Sequence, residues 1–247
     1  MKLFWTPNKE GVLVLRDLEQ ENIGFSRDAY FRGEFDSFNY MYYENFNHYV
    51  HDDIGCDYER YGCYIMEGDR VLDIGANIGI FSHRAELRGA SEVVCFEPLS
   101  LAYECLKRNA GQKTKVNRLG VSSKRDFLNF SIHTDYTHIG GGSILPHKDV
   151  VTIFNEYVNV IGINEVFSTY GKFDFIKLDI EGGEVDLINT ISDENLSSCR
   201  CFAMELHGVN GVVELQDRFV HRMNNLGFKQ FVLQHNGGLR TINFWKI

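Results

Sequence analysis

A three-layer α/β sandwich built on a mostly parallel sheet of about seven strands is the fold this sequence predicts. Three observations predict it. Val71-Leu72-Asp73-Ile74 is a short apolar run that enters Gly75-Ala76-Asn77-Ile78-Gly79 and then a helical stretch from Phe81 to Leu87, which reads as strand, glycine turn, helix. Apolar runs and helix-period stretches then keep alternating, as they do when parallel strands are joined by crossover helices. Finally, the runs Phe228 to Leu233 and Leu239 to Ile247 flank His235-Asn236-Gly237-Gly238, which reads as an antiparallel C-terminal hairpin. A chain of 247 residues suits one large α/β domain better than two. Residues 68–247 are expected to form it, and residues 1–67 to be an appendage packed on it.

The elements follow in order. Gly68 and Asp69 make the turn ahead of the first core strand. Glu92 to Pro98 is the second strand and ends in the acid Glu97. Ser100 is placed to cap a helix carrying Leu101, Cys105 and Leu106 on one face, with Gly111 as its stop. Thr114 to Val121 reads as the third strand. Phe127 to Ile132 has strand character, and the segment up to about Val160 breaks the regular alternation. Within it, Gly140-Gly141-Gly142-Ser143, followed by Pro146-His147, reads either as a surface turn or as a lid over an acceptor. Asn164 to Tyr170 is a short helix stopped by Gly171. Phe173 to Asp179 is the fourth strand, followed by Ile180-Glu181-Gly182-Gly183 and a helix with Val185, Leu187, Ile188 and Ile191. Arg200 to His207 is the fifth strand. The helix from Val212 to Leu226 repeats Val212, Leu215, Phe219, Met223 and Leu226 on one stripe and stops at Gly227.

Apolar content of 44% with 24% charged residues is ordinary for a globular chain able to bury a core. A net charge of −9 with no basic block argues against a nucleic-acid partner. The six cysteines form no C-x-x-C pair, and neither a signal-like apolar run nor an 18-residue apolar stretch occurs. A reducing, cytoplasmic setting without a membrane span is therefore expected, with a Cys56–Cys63 disulfide the one pairing weighed against it. The segment from Tyr30 to Tyr64 is dense in rings, including Phe35, Tyr42, Tyr49, Tyr58 and Tyr61. Those rings are expected chiefly to cover one side of the core, the sharper reading being an acceptor cleft. Glu59 reads either as a solvated glutamate or as a group near the cofactor.

The glycine turn decides what is bound. A dinucleotide fingerprint starting at Gly75 would need glycines where Asn77 and Ile80 stand, and the chain's Gly171-Lys172 is followed by Phe173 rather than Ser or Thr, so no P-loop exists. A carboxylate at Asp73 would repel pyrophosphate and attract an ammonium group, as S-adenosylmethionine carries. Glu97 stands about 20 residues past the turn, where an acid accepts both ribose hydroxyls of an adenosine. Pro98 follows it, and the end of the third strand at Val121 would lie near the base.

At these residues the sequence resembles the FkbM family of S-adenosylmethionine-dependent methyltransferases. The resemblance is carried by Leu72-Asp73-Ile74-Gly75-Ala76-Asn77-Ile78-Gly79, Phe96-Glu97-Pro98, Gly141-Gly142-Ser143, Phe175-Ile176-Lys177-Leu178-Asp179-Ile180-Glu181-Gly182 and Glu205-Leu206-His207-Gly208. It spans about residues 65 to 208 and leaves both ends uncovered. It implies a Rossmann-like methyltransferase domain and, most often, O-methylation of sugars or natural products, so that the partner is a small-molecule or glycan acceptor. The cofactor-binding set is expected to be Asp73, Gly75, Ala76, Asn77, Gly79, Glu97, Pro98, Val121 and Asp179.

Ligands of open α/β sheets sit beyond the carboxyl ends of the strands at the switch point, which places Asp179 and Glu181 where chemistry would occur. Period-two alternation puts Lys177 on their face, so an ion pair among the three is expected. The same alternation groups Glu205 with His207. The catalytic set is therefore His207, Asp179, Glu181, Lys177 and Glu205, with His207 as first-named proton acceptor. Asp179, Glu205 and His207 also offer a ligand set for a divalent cation, but Lys177 neutralises the acids without one, and the ion-free reading is preferred. Two competitors remain: a non-catalytic nucleoside- or partner-binding protein of the same fold, and a nucleotide-binding dehydrogenase, which the missing glycines disfavour.

Overall fold

The computed structural model describes residues 3–7, 13–17, 57–133, 142–143, 152–207, 212–234 and 240–246. Strands β1 (Leu3–Pro7) and β2 (Leu13–Asp17) form an antiparallel pair. The main chain order continues β3 (Arg70–Ile74), α1 (Ile80–Leu87), β4 (Glu92–Phe96), α2 (Ser100–Asn109), β5 (Thr114–Asn117), β6 (Gly120–Ser122), β7 (Asp126–His133), β8 (Gly142–Ser143) and β9 (Thr152–Gly162). It ends with α3 (Ile163–Tyr170), β10 (Phe175–Leu178), α4 (Glu184–Thr190), α5 (Asp193–Ser198), β11 (Cys201–Leu206), α6 (Val212–Asn225), β12 (Lys229–Gln234) and β13 (Arg240–Trp245).

The predicted sandwich is present. Seven strands form one sheet in the order β12-β13-β11-β10-β3-β4-β5, parallel throughout except that β13 runs against both β11 and β12. The order reverses between β3 and β10, which makes their carboxyl ends the switch point. In register, Asp73 of β3, Lys177 of β10 and Ala203 of β11 are neighbours and so share a face. That face carries Val71, Phe175 and Ala203 against Phe81 and Ala85 of α1, and Cys95 against Leu106 of α2. The opposite face carries Leu72, Ile74, Ile176, Leu178, Phe202 and Met204 into the larger core with Phe167 of α3, Leu187 of α4, Leu196 of α5 and Phe219 of α6. The site is built on the first face, where three ionisable side chains interrupt the apolar pattern.

A second sheet, ordered β6-β9-β7-β8, was not foreseen. The strand expected over Thr114 to Val121 breaks at Arg118-Leu119, so that β5 stays in the main sheet while β6 turns away to pair with β9. Glu156 of β9 fastens the two sheets. Its buried carboxylate accepts from the Ser100 backbone N–H at 3.0 Å, from the Ser100 hydroxyl and from Arg118 at 3.1 Å. Ser100 is thus not the cap of α2 but its first residue, and Glu156 supplies from across the fold the acceptor that a helix start needs.

The boundary expected between residues 67 and 68 falls within packed structure, because Cys63 and Ile65 are buried beside Val71 and Phe81. Glu59 is not solvated and does not line the cleft at the switch point. It is 4% exposed, accepts from the Ile65 N–H at 3.2 Å and pairs with Arg84, itself 3% exposed. Removing one partner of a buried pair leaves an uncompensated charge, at a cost of about 3–5 kcal/mol. Glu59→Ala is accordingly expected to lower the melting temperature by about 10 °C, and a thermal scan within a degree or two of wild type would show the pair to be dispensable. Cys63 is a free thiol, and Cys56, the partner weighed for it, lies outside the described residues. The rings from Tyr30 to Tyr49, Gly140-Gly141, Pro146-His147 and the turn from His235 to Gly238 lie outside the described residues, whereas Gly142-Ser143 pairs with Ile132 and Ser131 as β8.

Candidate active site

A cleft opens at the switch point, beyond the carboxyl ends of β3, β4 and β10. Its floor is made by Gly75, Asn77 and the run from Phe96 to Leu99. Leu128, Phe130 and Val160 of the second sheet, with Val121, give it an apolar wall, and Asp179, Ile180 and Glu181 line the other end. The second sheet therefore has a purpose that its sequence did not announce, since it closes the cleft over the strand ends.

The turn after β3 is packed inward. A Cβ on Gly75 would lie 1.6 Å from the Asp179 carbonyl oxygen, and its φ of +77° is glycine's territory, so glycine is required by the approach of β10. The N–H groups of Gly75 and Ala76 both donate to the Phe96 carbonyl at 3.0 and 2.9 Å, that of Gly79 to the Ala76 carbonyl, and that of Asn77 to Glu97 Oε2 at 2.9 Å. These four N–H groups are engaged within the fold and are not free for a pyrophosphate. Glu97 is 4% exposed and receives the Leu99 N–H on Oε1 at 2.8 Å. Burial pushes its carboxyl up, against the lowering effect of the Leu99 and Asn77 hydrogen bonds, to about 7. Each carboxylate oxygen accepts one backbone N–H and so retains a further lone pair, and Glu97 lines the cleft.

Asp73 does not line the cleft. It is fully buried, accepting from the Ser82 hydroxyl at 2.7 Å and lying 3.4 Å from Lys177 Nζ. The ion pair expected of Lys177 is present with a different membership. Its ammonium donates to the Gly75 carbonyl at 2.6 Å and sits between Asp73 and Asp179, the latter at 3.5 Å, while Glu181 is not a partner. Burial alone would lower Lys177, but Asp73 and then Asp179 outweigh it and hold the ammonium charged. Lys177 thus stiffens the joint between the turn and the end of β10.

Glu181 turns away because β10 has ended and its φ is +56°. Its Oε2 lies 3.1 Å from His207 Nε2, and His207 Nδ1 lies 3.1 Å from Glu184 Oε1. Burial would lower the His207 imidazole. The Glu184 hydrogen bond and the charges of Glu181, Glu184 and Asp179 outweigh it and raise it to about 9. At neutral pH the ring is a cation that donates from both nitrogens, so it has no lone pair to take a proton. To serve as the base named first, His207 would have to give up a proton. Glu184, 1% exposed, also accepts from the N–H groups of Ile180 and Gly182 at 3.1 Å each, and so holds the loop lining the cleft.

Asp179 lines the cleft together with Glu181 and Asp186. Its Oδ2 receives the Tyr58 hydroxyl at 3.0 Å, while its buried Oδ1 has no hydrogen-bond partner. Glu205 meets the same hydroxyl at 2.7 Å and lies behind Asp179 rather than in the cleft. Of the expected cofactor set, Gly75, Asn77, Glu97, Pro98, Val121 and Asp179 line the cleft; Asp73, Ala76 and Gly79 do not. Of the expected catalytic set, Asp179 and Glu181 line it, with Lys177, Glu205 and His207 behind them. Sequence reasoning named Tyr58 only as one of the rings of the aromatic-dense segment, and passed over Glu184 and the wall residues Leu128, Phe130 and Val160. Only Glu184 had a local signal, as an acid in the first turn of a helix beside free N–H groups.

Among the described residues, Asp179, Glu184 and His207 bring potential metal-ligand atoms within 4.8 Å of one another. Glu184 is already occupied by two N–H groups and His207, and the imidazolium offers no ligand electrons. The donor set therefore suits an internal ion-pair network better than a cation.

A family model described as "Methyltransferase FkbM domain" matches residues 73–230. Among individual relatives, the 31-O-demethyl-FK506 methyltransferase FkbM of Streptomyces tacrolimicus is 24% identical over 63% of this chain and 72% of its own length. The AMB antimetabolite synthetase AmbE of Pseudomonas aeruginosa is 24% identical over 66% of this chain, which spans 10% of AmbE. Among solved structures, a ribosomal protein L11 methylase from Lactobacillus delbrueckii subsp. bulgaricus shares 14% identity at a TM-score of 0.41, covering 73% of this chain and 72% of the other.

Proposed function

Because this chain belongs to the FkbM family of methyltransferases, we propose that it transfers a methyl group from S-adenosylmethionine to a hydroxyl oxygen of a sugar, glycan or natural-product acceptor. The observation that carries the reading is the pair of acids at opposite ends of one apolar cleft. Glu97 has lone pairs for a ribose, and Asp179 Oδ1 is a buried oxygen with no partner. S-adenosylmethionine, when bound, supplies a sulfonium-activated methyl group, and the electrons of the broken C–S bond stay on sulfur. Glu97 would hold the ribose, and Val121, Leu128, Phe130 and Val160 would exclude water from the base. Asp179 would accept the acceptor's hydroxyl proton as its oxygen forms the new bond, a general-base contribution of about 10²–10⁴-fold.

The hydroxyl as target follows the printed activity of the FkbM relative, and the uncharged wall of the cleft gives no reason to invoke an anionic acceptor. The described cysteines are all free thiols, which supports the cytoplasmic setting, and among the described residues no helix is long and apolar enough to cross a membrane. Incubation with S-adenosylmethionine and a panel of sugar and polyketide alcohols, read by mass spectrometry, should give one acceptor gaining a single methyl with matched release of S-adenosylhomocysteine. A protein that binds the nucleoside and methylates nothing in a broad panel would favour the non-catalytic alternative. Turnover is expected to survive EDTA and dialysis; loss with rescue by Mg²⁺ or Mn²⁺ would show that the carboxylates hold a metal.

A further inference from the structure

We propose that Tyr58 is a positioning residue for proton transfer, its hydroxyl bridging Asp179 and Glu205 so that the Asp179 carboxylate is held in one orientation beside the acceptor. The inference rests on the reading of Asp179 as proton acceptor. Tyr58 comes from the segment ahead of the first core strand, where it meets Asp179 Oδ2 at 3.0 Å and Glu205 Oε2 at 2.7 Å. Its ring is held edge-on by Phe81, with centroids 5.7 Å apart, and carries Lys177 Nζ at 5.3 Å from its centroid. The phenol is thus fixed by packing before it makes any hydrogen bond.

The arrangement has a definite consequence for the two acids. A phenol carries one hydrogen, so two carboxylates that share it are drawn together around a donor too small to neutralise both. Lys177 adds positive charge from the Asp73 side, and Glu181, Glu184 and His207 face the pair from the loop and the end of β11. Burial, followed by the Asp179 and Glu205 charges, raises the Tyr58 hydroxyl well above its usual value, so it stays a donor and is no base. Glu205 is raised by burial and by Asp179, and the Tyr58 hydrogen bond works against that rise. Without the hydroxyl the acids face each other with no donor between them, and Asp179 Oδ2 keeps only Lys177, at 3.5 Å.

Tyr58→Phe keeps the ring, the Phe81 contact and the cation over it. We expect kcat to fall about 10–100-fold, with S-adenosylhomocysteine affinity within about twofold by calorimetry. In the ligand-free protein, carbon-13 carboxyl NMR should show the Glu205 titration displaced to higher pH, and the acid limb of the kcat profile should move the same way. Unchanged kcat, or a fall in kcat that tracks weakened cofactor binding with no displacement of Glu205, would overturn the assignment. Glu205→Gln keeps a side chain of nearly the same shape while removing the second charge. In that background the loss caused by Tyr58→Phe should shrink, and an undiminished loss would also overturn it. Asp179→Asn separates this inference from the one beneath it. If that variant turns over normally, both fail; if it is inactive while Tyr58→Phe is fully active, only the role of Tyr58 fails.

Discussion

Asparagine in place of Asp179 is expected to lower kcat by about 10²–10⁴-fold, with a much smaller change in cofactor affinity. The substitution preserves size and can still receive the Tyr58 hydroxyl, and Lys177 retains Asp73 as a counter-charge. What it removes is the ability of this carboxylate to take a proton. His207→Gln should act differently. It deprives Glu181 and Glu184 of their cation and loosens the loop that lines the cleft, so its effect should fall on KM for acceptor and cofactor more than on kcat. Steady-state kinetics of the two variants side by side separate the roles. Turnover of Asp179→Asn within about threefold of wild type would remove Asp179 as the base.

The parts of this site that sequence alone disclosed are those governed by local periodicity. The run into Gly75 and the apolar strands β4, β10 and β11 follow from patterning, and alternation correctly put Lys177 and Asp179 on one face. The same rule failed one step later, because β10 ends at Leu178 and β11 at Leu206. Beyond a strand end the two-residue period no longer holds, so Glu181 swings to His207 instead of Lys177, and His207, 3.9 Å from Glu205 as the alternation implies, also reaches Glu184. Strand β9 does alternate, with Asn155, Tyr157 and Asn159 exposed and Glu156, Val158 and Val160 buried, but an inward glutamate disguised the pattern. Its reason for pointing inward, the start of α2 at Ser100, lies 56 residues away in sequence. Tyr58 was illegible for the same cause, since its partners stand 121 and 147 residues further along.

Binding of the nucleoside by Glu97 is the claim on which the rest depends, and it has the second large expected effect. Two charge-assisted hydrogen bonds of about 1.5–3 kcal/mol each are at stake, so Glu97→Ala should weaken S-adenosylhomocysteine by about 10²–10⁴-fold. Burial also gives this interaction a pH dependence of known sign. In the free protein Glu97 titrates at about 7, and the ionised form is the one that accepts both hydroxyls. Binding below that value must first expel a proton, so affinity rises as pH rises through 7, by about tenfold between pH 6 and pH 8. The most direct measurement is calorimetry of S-adenosylhomocysteine into wild-type protein and a folded Glu97→Ala variant at those two pH values. We expect tighter wild-type binding at pH 8, with proton release at pH 6, and weak, pH-independent binding by the variant; equal affinity of the two proteins at both pH values would contradict the placement of the cofactor in this cleft.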